Sequence, residues 1–201
     1  MKYKRKIIGL TGSIAMGKSY IANIFTSMNI AVFDADKEIK KLFLKPEVIK
    51  KISLIFPECL INQKLNTAIL AEKVFANKSQ LNKLESILYP YLNKGINKFI
   101  NSNSNIIVID IPLLFEKNYH IKFDEIITVS TSKYTQTKRV LKRSNMTKEK
   151  LNNILKNQFS DSKKKLRSNH IIYTGGSKAS CIKQVKNILY DIQNYELNNY
   201  A

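Results

Sequence analysis

Apolar runs of strand length alternate with helix-patterned segments along this chain of 201 residues, and the first run ends in a Gly-x-x-x-x-Gly-Lys-Ser loop. Together they predict an α/β fold: a parallel five-stranded sheet of the P-loop NTPase type with helices on both faces, since parallel strands need crossovers that cover the sheet. A long helical interval between the second and third runs adds an insertion to that sheet.

The elements follow in order. "KRKIIGL" reads as a short buried strand ending at the loop. "KSYIANIFTSM" places Ile21, Ile24, Phe25 and Met28 at helical spacing. "IAVFDAD" is a second apolar run that stops at Asp34 and Asp36. Residues 37–101 are helical in pattern, with breaks expected at Pro46, Pro57, Pro90 and the polar "NQKLN". "NIIVIDIPLLFE" is a third strand, ending at Asp110 and stopped by Pro112, and "DEIITVS" a fourth. "KYTQTKRVLKR" and "TKEKLNNILKNQF" read as consecutive helices. The hydrophilic "SDSKKKLRSN" leads to "HIIYT", a fifth strand, and a helix from near Ser177 closes the chain. Ligands gather at the carboxyl ends of parallel strands. Gly12, Asp34 and Asp110 stand at such ends and are expected to converge on one crevice.

The loop chemistry rests on four positions. Gly12 and Gly17 allow close approach of backbone to phosphate, and successive N–H groups before a helix start form an anion nest. Lys18 brings a charge to the β and γ phosphates, and the Ser19 hydroxyl suits Mg²⁺. Ser13, Ile14, Ala15 and Met16 contribute mainly backbone. Ser13 and Ala15 are acceptable there while their φ stays negative.

Bulk properties narrow the class. The net charge of +19 is spread over a lysine- and asparagine-rich chain. It sets up a field that attracts anionic ligands and favours weak, salt-sensitive RNA association, without the aromatic-basic interleaving of a specific RNA reader. Against thirty lysines there are four arginines, Arg5, Arg139, Arg143 and Arg167. A planar two-pronged donor is therefore expected to matter at Arg139 and Arg143, which share a helix face. Cys59 and Cys181 match no metal or redox spacing and read as core residues. The apolar start is short and broken by Gly9, Thr11, Gly12 and Ser13, and no run reaches the roughly 18 apolar residues of a membrane span. A cytoplasmic protein without membrane or specific nucleic-acid partners is expected, as a monomer or small homo-oligomer.

GTPases of the translational type would show Asn-Lys-x-Asp, and "NKSQ" at Asn77 lacks the acid. Transporter ATPases would show Leu-Ser-Gly-Gly-Gln, which is absent. A small-molecule kinase remains. "IIGLTGSIAMGKS", "FDAD", "DIPLLFE", "TQTKRVLKR" and the spacing on to Gln158 resemble the dephospho-CoA kinases, in order, over roughly residues 6–190. The resemblance implies ATP and Mg²⁺ as cofactors, and phosphorylation of the ribose 3′-hydroxyl of dephospho-CoA to give coenzyme A. It also implies one kinase domain: core 1–44 and 105–201, a helical acceptor-binding insertion at about 45–104, and a lid at about 141–166.

Site residues follow from the same resemblance. Residues Gly12, Ser13, Ile14, Ala15, Met16, Gly17, Lys18, Ser19 and Tyr20, with Arg143 of the lid, are expected to hold ATP. Lys18, Asp34 and Arg139 are the expected catalytic residues. Asp34 is the general base or orienter for the 3′-hydroxyl, and Arg139, in Gln-x-x-Arg, neutralises the moving phosphoryl group. Asp34, Asp36, Leu113, Phe115 and Glu116 are expected on the acceptor side, with Leu114 packing beside them. Ser19 and Asp110 are expected to hold Mg²⁺, Asp110 through water. Gln158 matches the family, and Lys163, Lys164 and Lys165 are expected near the anionic substrates. The chain departs from the family's usual residues at Ser13, Ala15, Met16 and Tyr20 of the loop, at Tyr89 for a histidine, at Asn169 for an acid and at Thr174 for an asparagine. His120 and His170 are given no chemical role.

Overall fold

The computed structural model describes residues 5–103, 105–117, 119 and 121–197; His120 lies outside them. In chain order it runs β1 (Ile7–Thr11), α1 (Lys18–Ser27), β2 (Ala31–Asp34), α2 (Ala35–Leu42), α3 (Pro46–Ile55), a 3-10 turn (Pro57–Cys59), β3 (Leu60–Ile61) and β4 (Lys64–Leu65). It continues through α4 (Thr67–Ala76), α5 (Lys78–Asn101), β5 (Ile107–Asp110), β6 (Glu125–Ser130), α6 (Lys133–Leu141), α7 (Lys148–Lys156), α8 (Asp161–Lys165), β7 (His170–Tyr173) and α9 (Lys178–Leu197).

All five expected strands form, and they make one parallel sheet in the order β2-β5-β1-β6-β7 with helices on both faces. Strand β1 is central because both its neighbours are reached by crossovers, β5 on one side and β6 on the other. Alternation sends Ile8, Leu10, Val108, Ile127, Val129 and Ile172 to one face. There they pack with Ile21, Ile24 and Phe25 of α1 and with Cys181, Val185 and Ile188 of α9. Burial of this apolar layer stabilises the sheet. The strand order reverses about β1, so the crevice for a ligand opens at its carboxyl end, where residue 12 begins the loop.

The chain separates into two compact units, one drawn from Met1–Phe33 with Ser102–Ala201, the other Asp34–Asn101. In the second, α2, α3 and α4 each pack on α5, which buries Leu84, Leu88, Leu92, Ile96 and Ile100 along one stripe. The break expected at Pro90 does not occur: α5 runs through it. Proline removes one backbone hydrogen bond, but the apolar stripe continues on both sides, and its burial outweighs that local loss. The polar break at "NQKLN" is a hairpin, with β3 and β4 paired across Asn62 and Gln63 at φ 47 and 62. Two consecutive left-handed residues are what a tight hairpin turn requires. A further departure lies in "SDSKKKLRSN", read only as a hydrophilic lead. Ser160 accepts from the Lys163 N–H and caps α8. No helix among the described residues is long and apolar enough to cross a membrane.

Candidate active site

The loop between β1 and α1 is shaped by its glycines and held from behind. Gly17 sits at φ 94 before α1, and a Cβ there would lie 2.9 Å from Thr174 Oγ1. Both conformation and space therefore demand glycine. Ala15 was expected to keep a negative φ, yet it adopts φ 59. That conformation costs an L-residue roughly 1–2 kcal/mol, so its neighbours must stabilise it.

They do so through the loop's own backbone. Gln158 Oε1 accepts from the Ile14 N–H at 3.1 Å, and Gln136 Nε2 donates to the Ile14 carbonyl at 2.8 Å. Arg139 Nη1 reaches the Ala15 carbonyl at 3.5 Å. The Thr174 hydroxyl donates to the Met16 carbonyl at 2.6 Å, and the Met16 N–H closes a turn on Ser13 O at 3.2 Å. Three successive carbonyls, those of Ile14, Ala15 and Met16, are thus each held by a side chain from elsewhere in the chain. Gln136 is the glutamine of Gln-x-x-Arg. Its i, i+3 spacing with Arg139 was the available signal that both face the loop.

Arg139 differs from expectation in what it touches. Nη1 donates to Thr174 Oγ1 at 2.8 Å and Nη2 to the Thr174 carbonyl at 2.7 Å. The fork is engaged within the protein. Arg143, one turn on, is exposed just past α6.

The charged centre lies across the ends of β1 and β5. Leu10 and Asp110 stand opposite each other in the sheet, and Lys18 at the start of α1 forms an ion pair with the buried Asp110. Beside it, Lys164 is fully buried, with its ammonium 2.7 Å from Glu116 Oε1 and 3.1 Å from the Pro112 carbonyl. Burial pushes the Lys164 ammonium below its ordinary pKa; the hydrogen bond and charge of Glu116 and the charge of Asp161 oppose that shift, and Lys18 adds to it. Glu116 Oε1 also accepts from the Phe159 N–H at 2.8 Å, tying the "PLLFE" segment to the residues before α8. Lys163, Lys164 and Lys165 are expected together near the anionic substrates, whereas Lys164 is buried, Lys163 is exposed and Lys165 is half-buried. Position i+4 from the Ser160 cap was the signal that it faces inward. Ser130 Oγ donates to Asp161 Oδ2 at 2.8 Å, fixing α8 to β6.

Asp34 ends β2 and caps α2, accepting from the Lys37 N–H at 2.9 Å. Asp36 is exposed in the first turn of that helix, so the two carboxylates do not share a strand face. The strand stops because the cap starts the helix at Ala35. Leu114 is buried while Leu113, Phe115 and Tyr20 keep some exposed surface. Asn169 Oδ1 accepts from the Ile126 N–H at 2.9 Å, extending the β6–β7 edge, and His170 pairs with Glu125 at 3.3 Å. Cys59 and Cys181 are both buried and free.

Ser19 stands exposed at the helix start and Asp110 ends the neighbouring strand. A hydroxyl and a carboxylate are hard oxygen donors, the set that holds Mg²⁺ together with substrate phosphates. The residues fit that ion.

A parallel sheet with a braced phosphate loop, a lysine at the helix start and an acid ending the next strand defines a P-loop kinase of the small-molecule type. Solved structures agree on the fold. A Thermus thermophilus protein superposes with a TM-score of 0.85 at 24% identity, over 94% of this chain and 98% of that one. A dephospho-CoA kinase from Campylobacter jejuni gives 0.70 at 24% identity, over 96% and 99%. The family model for dephospho-CoA kinase matches residues 6–179. A dephospho-CoA kinase of Bartonella quintana is 36% identical over 191 residues, 93% of this chain and 98% of the relative. One from Rhodopseudomonas palustris, strain HaA2, is 34% identical over 187 residues, 91% and 94%. This chain belongs to the dephospho-CoA kinase family.

Proposed function

We propose that the protein transfers the γ-phosphoryl group of ATP to the ribose 3′-hydroxyl of dephospho-CoA, giving coenzyme A and ADP. The match of residues 6–179 to the family is the observation that carries this reading. The braced loop supports it by supplying the anion cradle that phosphoryl transfer needs.

In this reading the loop N–H groups and the start of α1 bind the β and γ phosphates. Lys18, which pairs with Asp110 at the start of α1, brings its charge to the β and γ phosphates. Ser19 and Asp110 would hold Mg²⁺, which would supply positive charge against the phosphate oxygens. Asp34 orients the 3′-hydroxyl or takes its proton, and the new P–O bond forms as the bond to the β-phosphate oxygen breaks. Asp36, Leu113, Phe115 and Glu116 serve the acceptor. Arg143 brings positive charge to the transferring group, while Arg139 keeps the loop in shape. Most of the rate enhancement comes from alignment and charge stabilisation rather than covalent chemistry.

A coupled assay with Mg-ATP tests the reading, with adenosine, AMP and shikimate as control acceptors. Coenzyme A formed from dephospho-CoA alone is the expected result. Folded protein that turns over none of the acceptors, or prefers a control, overturns it.

A further inference from the structure

We infer that Thr174 is a positioning residue for the phosphate loop, the pin through which Arg139 and the loop hold each other. This inference rests on the kinase reading, and it concerns a position where the chain departs from its family's usual asparagine.

Thr174 follows β7, and its N–H donates to the Ser130 carbonyl at 2.9 Å, which anchors it to the sheet. From that fixed point its hydroxyl does two things. It donates to the Met16 carbonyl at 2.6 Å and accepts from Arg139 Nη1 at 2.8 Å. Its carbonyl takes the other arm of the fork at 2.7 Å. A threonine hydroxyl has one proton to give and lone pairs to accept, so this arrangement is self-consistent. The side chain is buried and packs against Gly17 so closely that an added Cβ would clash.

The loop needs such a pin. With Ala15 at φ 59 the backbone between Gly12 and Gly17 occupies a strained conformation that its own residues do not favour. Thr174 holds the Met16 carbonyl on the far side of the strained residue, and Arg139 reaches the Ala15 carbonyl itself. Without the hydroxyl, the Met16 carbonyl and one Arg139 N–H lose their mutual partner in a buried place. The loop is then free to relax away from the shape that presents its N–H groups to phosphate. Arg139 belongs to α6, which leads into residues 141–166, so the same pin couples the lid's root to the loop.

The test is Thr174→Val, which keeps the branched shape and removes the hydroxyl, with Thr174→Ser as the conservative partner. The dissociation constant of a non-hydrolysable ATP analogue is measured by calorimetry well below the melting temperature, beside the KM for dephospho-CoA. Thr174→Val is expected to weaken analogue binding about tenfold or more while leaving the KM for dephospho-CoA within about twofold of wild type, and Thr174→Ser is expected to restore most of the loss. A purely structural role would lower the melting temperature without this split. Unchanged analogue binding by folded Thr174→Val overturns the inference, as does a loss shared equally by both substrates. Should Thr174→Val not fold, Arg139→Met removes the other half of the clamp from a half-buried site and must show the same split; its absence overturns the inference equally. Because binding is read directly, a wild-type protein that binds the analogue but fails to phosphorylate dephospho-CoA sinks the functional reading and leaves this one to stand on its own result.

Discussion

Lys164 has no exposed surface, and its ammonium lies 2.7 Å from the Oε1 atom of Glu116. A buried cation and a nearly buried anion make this pair, and loss of either leaves the other without its counter-charge. Lys164→Met leaves a buried carboxylate without its counter-charge and is expected to cost about 3 kcal/mol of stability in urea denaturation. Adding Glu116→Gln, which keeps an acceptor for the Phe159 N–H, should recover part of that loss. A single variant as stable as wild type would show that the pair does not hold the structure together.

The same lysine predicts a pH dependence. Its folded pKa lies below the ordinary 10.5, chiefly through burial. Between the lowered value and 10.5 the unfolded chain binds more protons at this residue than the folded one, so stability rises with pH there. The stability of wild type relative to Lys164→Met should therefore be flat below the folded pKa and climb as pH approaches 10.5. A relative stability that falls across this window would contradict the assignment.

Lys18→Ala removes the charge that pairs with Asp110 and that the proposed function brings to phosphate. The expected fall in kcat/KM is about 10³-fold or more, with a folded chain by circular dichroism. An active variant would refute the loop's role in catalysis.

Asp34→Asn separates chemistry from capping. Asparagine caps a helix nearly as well as aspartate, so the Lys37 N–H keeps its partner and stability should change by less than about 0.5 kcal/mol. A base or orienter reduced to an amide should lower kcat by about 10²–10⁴-fold. Unchanged kcat would leave Asp34 as a helix cap.

Ala15→Gly relieves the left-handed strain at the loop. The gain of about 1–2 kcal/mol is partly offset by glycine's extra freedom in the unfolded chain, about 0.5–1 kcal/mol. A small net stabilisation is expected in chemical denaturation. Clear destabilisation would mean that Ala15 is not held at positive φ in solution.

The strands, the loop and most helices were legible because their signals are local. Apolar runs of a few residues and the spacing from Gly12 to Ser19 depend on near neighbours in the chain. The passage of α5 through Pro90 was not legible, because the reward for continuing lies in partners packed along its stripe. The break at "NQKLN" was legible, but its hairpin form was not: asparagine tolerates positive φ, whereas glutamine gives no signal that Gln63 adopts it.

The site divides along the same line. By itself the sequence determined that a Gly-x-x-x-x-Gly-Lys-Ser loop follows the first strand, with Lys18 and Ser19 at the helix start, and that Asp34 and Asp110 stand at strand ends. Only the tertiary structure decided that Lys164 is buried on Glu116 while Lys163 and Lys165 are not. It also decided that Arg139 and Thr174 grip the loop from behind. The loop motif is set by consecutive backbone geometry, whereas those contacts join residues 35 to 158 positions apart. No local pattern encodes a hydrogen bond of that span; it exists only once the sheet has brought its strand ends together.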